Sequence, residues 1–84
     1  MYIDFHKNFK KSYDKLPTKL KSKFDERLEL FIENPVAVEL NNHSLHGKYA
    51  GCRSINITGD LRAIYHVRSA GIRFVYIDTH SNLY

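Results

Sequence analysis

Residues 52–78 read CRSINITGDLRAIYHVRSAGIRFVYID, and the fold depends on how this run divides. Residues 52–57, CRSINI, alternate, as a half-buried strand does. Thr58-Gly59-Asp60 has the composition of a tight turn. Residues 61–67, LRAIYHV, make a second strand, and Ser69-Ala70-Gly71 a second turn. Residues 72–78, IRFVYID, are apolar and β-branched enough for a core strand. Two connections this short leave only antiparallel pairing, so the run is an antiparallel meander.

Upstream the period changes. Residues 2–6, YIDFH, alternate and read as a short strand. Phe9, Tyr13 and Leu16 recur at spacings of four and three, one stripe of a helix that Pro17 ends. Thr18 is the expected N-cap of a second helix, with Leu20, Phe24, Leu28, Phe31 and Ile32 on its buried face. That helix stops at Asn34-Pro35, because the residue before proline is pushed out of the helical region. Residues 36–50 are irregular, with Gly47 and Gly51 as punctuation. The expected architecture is α+β in the order β-α-α-β-β-β. One antiparallel sheet carries a helical hairpin on one face, all within a single domain over residues 1–84.

The chain has 84 residues, of which 43% are hydrophobic and 26% charged. A domain of that size buries roughly 60–65% of its unfolded surface, enough for one modest core. No segment approaches the ~20 apolar residues of a membrane span, and MYIDFHKNFKK lacks the apolar run of a signal peptide. The expected compartment is therefore the cytoplasm. A lone cysteine, Cys52, cannot form an internal disulfide and is read as a small strand residue. The net charge is +4, and Lys7, Lys10, Lys11, Lys15, Lys19, Lys21 and Lys23 crowd the first helices. This is compatible with a polyanionic partner and equally with solvated helix faces.

The helices can cover only one face of the sheet, so the residues directed to the other face need their own account. Alternation sends Arg62, Ile64 and His66 to one side of their strand, with Arg53 on the neighbouring strand. Asp60 precedes Arg62 in the turn, His43 lies in the irregular loop, and the last strand carries His80 and Tyr84 to its far end. Brought together, imidazole, carboxylate and guanidinium groups could cleave RNA without a metal or other cofactor. The 2′-OH must lose a proton, the leaving 5′-oxygen must gain one, and the phosphorane charge must be stabilised. His66 in mid-strand and His6 beside the first strand have plainer readings as packed residues. His43 and His46 are three apart but lack a third metal ligand.

These residues carry a resemblance. His43, Leu45, Gly47, Tyr49, Gly51 and Arg53, then Asp60, Ile64-Tyr65, and Thr79, His80, Leu83 and Tyr84 are spaced as in the RelE/ParE superfamily of bacterial type II toxins. The pattern is most similar to its YafQ-like branch. Phe9, Lys11, Tyr13 and Lys15 to Pro17 extend the similarity through the N-terminal half. The resemblance implies a cytoplasmic, ribosome-dependent endoribonuclease that cuts mRNA in the ribosomal A site. It also implies neutralisation by a cognate antitoxin, a monomeric toxin outside that complex, and no membrane association. It puts His43, Asp60, Arg62 and His80 in the catalytic set, with His80 as general acid. Lys48, Arg53, Asn56 and Tyr84 would bind RNA. Asn56 stands where YafQ-like chains carry a further histidine, and asparagine takes no proton near neutral pH. Two other readings remain: a ParE-like inhibitor of gyrase without nuclease activity, and a non-catalytic RNA-binding module.

Overall fold

The computed structural model describes residues 2–83. The elements run β1 (Tyr2–Phe5), α1 (Lys7–Asp14), α2 (Thr18–Glu33), β2 (His43–Ser44), β3 (Cys52–Asn56), β4 (Leu61–Arg68), β5 (Gly71–Thr79) and α3 (His80–Leu83). Single 3₁₀ turns occupy Val38–Leu40 and Gly47–Tyr49. The sheet has five strands in the order β1-β5-β4-β3-β2. The expected α+β fold and its meander are present, since β3, β4 and β5 pair antiparallel in sequence order.

Two features depart from the expectation. β1 lies parallel to β5, with Tyr2 opposite Gly71 and Phe5 opposite Phe74, so the sheet is mixed. Period-two alternation identifies a strand without giving its direction; here direction follows from where the helical hairpin returns the chain. The second feature is β2, a two-residue edge strand too short to generate a period, which pairs antiparallel with β3.

The helices form as their stripes dictate, with local differences. Phe24 and Phe31 of α2 are buried, whereas Ile32 is 53% exposed, one helical step off the stripe. Pro17, not Thr18, occupies the cap position of α2; no side chain caps it, and the Pro17 carbonyl accepts from the N–H groups of Leu20 and Lys21. At the start of α1 the His6 Nδ1 accepts from the Asn8 N–H at 3.0 Å, so this histidine is an N-cap.

The core lies between the hairpin and the sheet. Among the described residues, Phe74 of β5 has five rings around it. Phe5, Phe9, Phe24, Phe31 and Tyr65 stand with centroids at 5.7, 5.6, 5.6, 5.9 and 5.6 Å. Tyr13 joins the two helices by donating to Asp25 Oδ1 at 3.0 Å; burial, then that carboxylate, raises its phenol pKa. At the β1 edge, Gly71 faces the backbone of Tyr2 so closely that a Cβ there would overlap the Tyr2 carbonyl. A bidentate pair closes the same edge: Arg73 Nε donates to Asp4 Oδ1 at 2.8 Å and its Nη2 to Oδ2 at 3.1 Å.

Phe74→Ala should therefore cost about 3–5 kcal/mol in urea unfolding, the range for an aromatic deleted from a packed core. A cost below 1 kcal/mol would contradict the central place given to this ring. Asp4 allows a pH test. The hydrogen bond from Arg73 lowers the Asp4 pKa below its ordinary 3.8. Its contribution to stability is complete above that value and is lost as pH falls through the depressed pKa. Asp4→Asn should melt below wild type at neutral pH, and the gap should close on acidification past 3.8. A gap still unchanged well below 3.8 would show that the ionised Asp4 does not stabilise β1.

Candidate functional site

Residues opposite one another in neighbouring strands share a face, so the register assigns each candidate. Asn56, Arg62 and Asp78 form one row across β3, β4 and β5 on the face away from the helices. His43, Ser54, Ile64 and Tyr76 form the next, from β2 to β5. Cys52, His66, Arg73 and Asp4 form the third. The spacing of these rows is irregular on β5. The register shifts between Ile64 and Tyr65, which face Tyr76 and Phe74, leaving Val75 as the extra residue of a bulge. Without it, Tyr76 and Asp78 would follow Phe74 into the core.

The face is only partly open. Ile64 and Ser54 are fully buried in the second row. Tyr49, from the 3₁₀ turn, packs edge-on against Tyr76 with centroids 5.7 Å apart. The short α3 lies along the end of β5.

Arg62 is half-buried and held at two points. Its Nη1 donates to Asn56 Oδ1 at 2.6 Å and its Nη2 to the Gly59 carbonyl at 2.9 Å. Its Nε is buried with no hydrogen-bond partner among the described residues. The guanidinium is thus oriented by neutral acceptors rather than by a close carboxylate. Asp78 accepts instead from the Thr79 N–H at 2.7 Å and from Asn82 Nδ2 at 3.1 Å, which fastens the first turn of α3.

Asp60 and His80 meet through the main chain. The His80 N–H donates to the Asp60 carbonyl at 2.8 Å, and both residues are exposed. The Thr58 hydroxyl accepts from the N–H groups of Asp60 and Leu61, setting the turn. His43 is half-buried on the same face. Its Nδ1 lies 2.7 Å from the Asn41 carbonyl. A carbonyl only accepts, so Nδ1 carries the proton and the neutral ring keeps Nε2 as an acceptor. Asn41 reaches this geometry through a left-handed backbone, φ 44°.

His43, Asn56 and Arg62 therefore share one face, and the main chains of Asp60 and His80 meet where β4 begins and β5 ends. Arg53 is not on that face. It pairs with Tyr65, whose ring is in the core, so Arg53 points to the helix side. There its Nε donates to Asn42 Oδ1 at 2.8 Å, and Asn42 Nδ2 donates to Tyr65 Oη and the Pro35 carbonyl, both at 2.9 Å. The expectation of Arg53 beside Arg62 is corrected: the residues differ by an odd number of strand positions once register is counted. Tyr84 lies outside the described residues. Lys48 is exposed with its ammonium 5.1 Å from the Tyr49 ring. Cys52 is half-buried, and burial pushes its thiol pKa up, away from a thiolate nucleophile.

Sequence reading missed Tyr76, Tyr49 and the exposure of His66 on this face. The unbroken apolar run FVYI hides the bulge that turns Tyr76 outward, so no sequence signal marks it.

A mixed α+β sheet with one face covered by a helical hairpin and a histidine-bearing end describes a class of small bacterial toxins. The model of the family "Bacterial toxin of type II toxin-antitoxin system, YafQ" matches residues 1–84, and the chain belongs to that family. No curated protein matches it. Among solved structures, YafQ from Escherichia coli strain BL21(DE3) is similar at a TM-score of 0.84 and 22% identity, over 99% of this chain and 97% of that one. The YoeB/ParE toxin from Agrobacterium tumefaciens gives 0.77 and 20%, over 95% and 99%. A chain of the E. coli DinJ-YafQ toxin-antitoxin complex gives 0.79 and 22%, over 99% and 96%.

The anchoring of α3 can be measured directly. Asp78→Ala removes the acceptor for Asn82, so the His80 amide should exchange with solvent about 5- to 10-fold faster, the loss of roughly one hydrogen bond. Unchanged exchange would mean that Asp78 does not position His80.

Proposed function

We propose that this toxin is a ribosome-dependent endoribonuclease that cuts mRNA by metal-independent acid–base catalysis. The observation that supports the reading is the guanidinium of Arg62, oriented by Asn56 and Gly59 on the face that also carries His43, with the His80 backbone tied to Asp60 at the end of the same sheet. His43, its Nδ1–H committed to Asn41, offers Nε2 to accept a proton. His80 stands at the opposite edge of the site, at the start of α3, next to Asp60.

In this scheme His43, with Asp60, takes the proton of the 2′-OH. The 2′-oxygen attacks phosphorus, and the phosphorane charge falls to Arg62. His80 donates a proton to the departing 5′-oxygen, leaving a 2′,3′-cyclic phosphate and a 5′-hydroxyl. Asn56 holds Arg62 in place, Lys48 meets backbone phosphate, and Tyr84 contacts the substrate. The gyrase reading needs no such proton-transfer set. The toxin acts in the cytoplasm, where ribosomes translate. Its regulation is by a cognate antitoxin that binds it as DinJ binds E. coli YafQ.

Primer extension on an mRNA in a reconstituted translation system tests this. Wild type should give codon-positioned breaks. His80→Ala should lower their rate about 10²- to 10⁴-fold, the usual share of a general acid. EDTA added to the isolated toxin before dilution should leave wild-type cleavage unchanged. Growth arrest without any cleavage would overturn the nuclease and make gyrase the next target.

A further inference from the structure

Beside the row of Asn56 and Arg62, the same face holds a cleft of about 490 Å³ lined by His6, Lys48, Tyr49, Cys52, His66, Val75 and Tyr76. None of its rings has a part in the chemistry above, and the core does not need them. Tyr76 is 37% exposed although it lies between Val75 and Ile77 on a central strand. An aromatic ring in that position is ordinarily covered.

Two rings form the corner of the cleft. Tyr49 and Tyr76 meet at 67°, so a planar group stacked on one presents its edge to the other. Lys48 adds a positive charge beside Tyr49, with its ammonium 5.1 Å from the ring. The floor carries donors. His6 uses Nδ1 as the acceptor for the Asn8 N–H, so its Nε2 bears the proton. His66 is exposed beneath Gly51; a Cβ at that glycine would stand 3.8 Å from its Nε2, and the φ of +88° disfavours any side chain there. A flat aromatic corner with hydrogen-bonding edges and a cation at its rim matches a nucleoside with its phosphate, which binds by stacking plus charge. It does not match an apolar peptide, which would meet the polar side chains of His6, Lys48 and His66 among the seven lining residues.

The cleft is also at the right distance. Tyr76 is two residues from Asp78 along β5, about 7 Å at the rise of a strand. One nucleotide of an extended strand covers that step.

We infer that this cleft is a base-stacking subsite for the nucleotide adjacent to the cleaved bond, with Tyr76 as the platform and Lys48 at its phosphate. The inference rests on the nuclease reading and names where that reading's substrate continues on the surface. It makes Tyr76 a binding residue, and it gives His6 a role at once in capping α1 and in lining the cleft.

The test is a cycle of two changes measured by primer extension on programmed ribosomes at subsaturating toxin. One change is Tyr76→Ala; the other is an abasic site placed in turn at each nucleotide flanking the cleaved bond. Each alone should slow cleavage roughly 5- to 100-fold, the worth of one stacked base. At one flanking position the two together should cost no more than either alone, because both remove the same contact. Tyr76→Phe, which keeps the π-face, should recover most of the rate that Tyr76→Ala loses. Should Tyr76→Ala melt at assay temperature, Tyr76→Leu keeps the volume without the π-face and serves in its place. Cleavage by the Ala or Leu variant at the wild-type rate, or losses that multiply at every position, would overturn the subsite and leave the nuclease standing. A wild type that cuts nothing would remove the nuclease reading and the subsite with it.

Discussion

The structure depends on the ring of Phe74. The rings around it come from β1, α1, α2 and β4, so a single side chain joins the sheet to both helices. A domain of this size has few large residues to bury, and aromatic side chains remove the most apolar surface per position. Concentrating them at one point brings the hairpin down on one face only. The other face is left without the hairpin and is covered only in part, by Tyr49 and the short α3, so polar side chains such as Arg62 stand on it half-buried. The position of the site is in this sense a consequence of the packing.

The bulge at Val75 resolves a conflict in β5. The strand must give Phe74 and Ile77 to the core, three residues apart, and strict alternation forbids both. One extra residue resets the phase. It turns Tyr76 and Asp78 to the far face, where Asp78 fastens α3 and hence His80. A packing requirement and the delivery of a titratable group thus share one backbone irregularity.

Much of this was legible in the residues. The meander followed from three alternating runs with turn chemistry between them, and the helices from stripes ended by Pro17 and Asn34-Pro35. Arg62 could be assigned to the uncovered face because alternation within one strand is local information. Arg53 could not be placed by the same means. Its side depends on how β3 registers against β4, which is a matter of pairing between strands. The direction of β1 and the outward turn of Tyr76 were hidden for related reasons. The first is set by the path of the hairpin, and the second by a bulge inside an unbroken apolar run. The cap formed by His6 is a short-range contact of a residue type that seldom caps, so its meaning emerged only with the geometry.

In the proposed mechanism Asn56 bears on how the site would work with one histidine fewer than the resemblance implies. Its Oδ1 accepts from the Arg62 Nη1 at 2.6 Å, and the Arg62 Nη2 is held by the Gly59 carbonyl. A neutral imidazole at position 56 could accept the same bond, but a protonated one would put a second positive charge against the guanidinium. Asparagine cannot titrate in that range, so Arg62 keeps its orientation whatever the pH. The cost is a proton carrier. Within the proposed mechanism, the two remaining imidazoles of the set must then divide the work between them, and their holdings are unlike enough to do so. His43 is tied through its side chain and keeps an acceptor nitrogen, while His80 is placed through its backbone at the mouth of α3. In that mechanism position 56 holds charge in place, and proton transfer falls to His43 on the edge strand β2 and His80 at the end of β5.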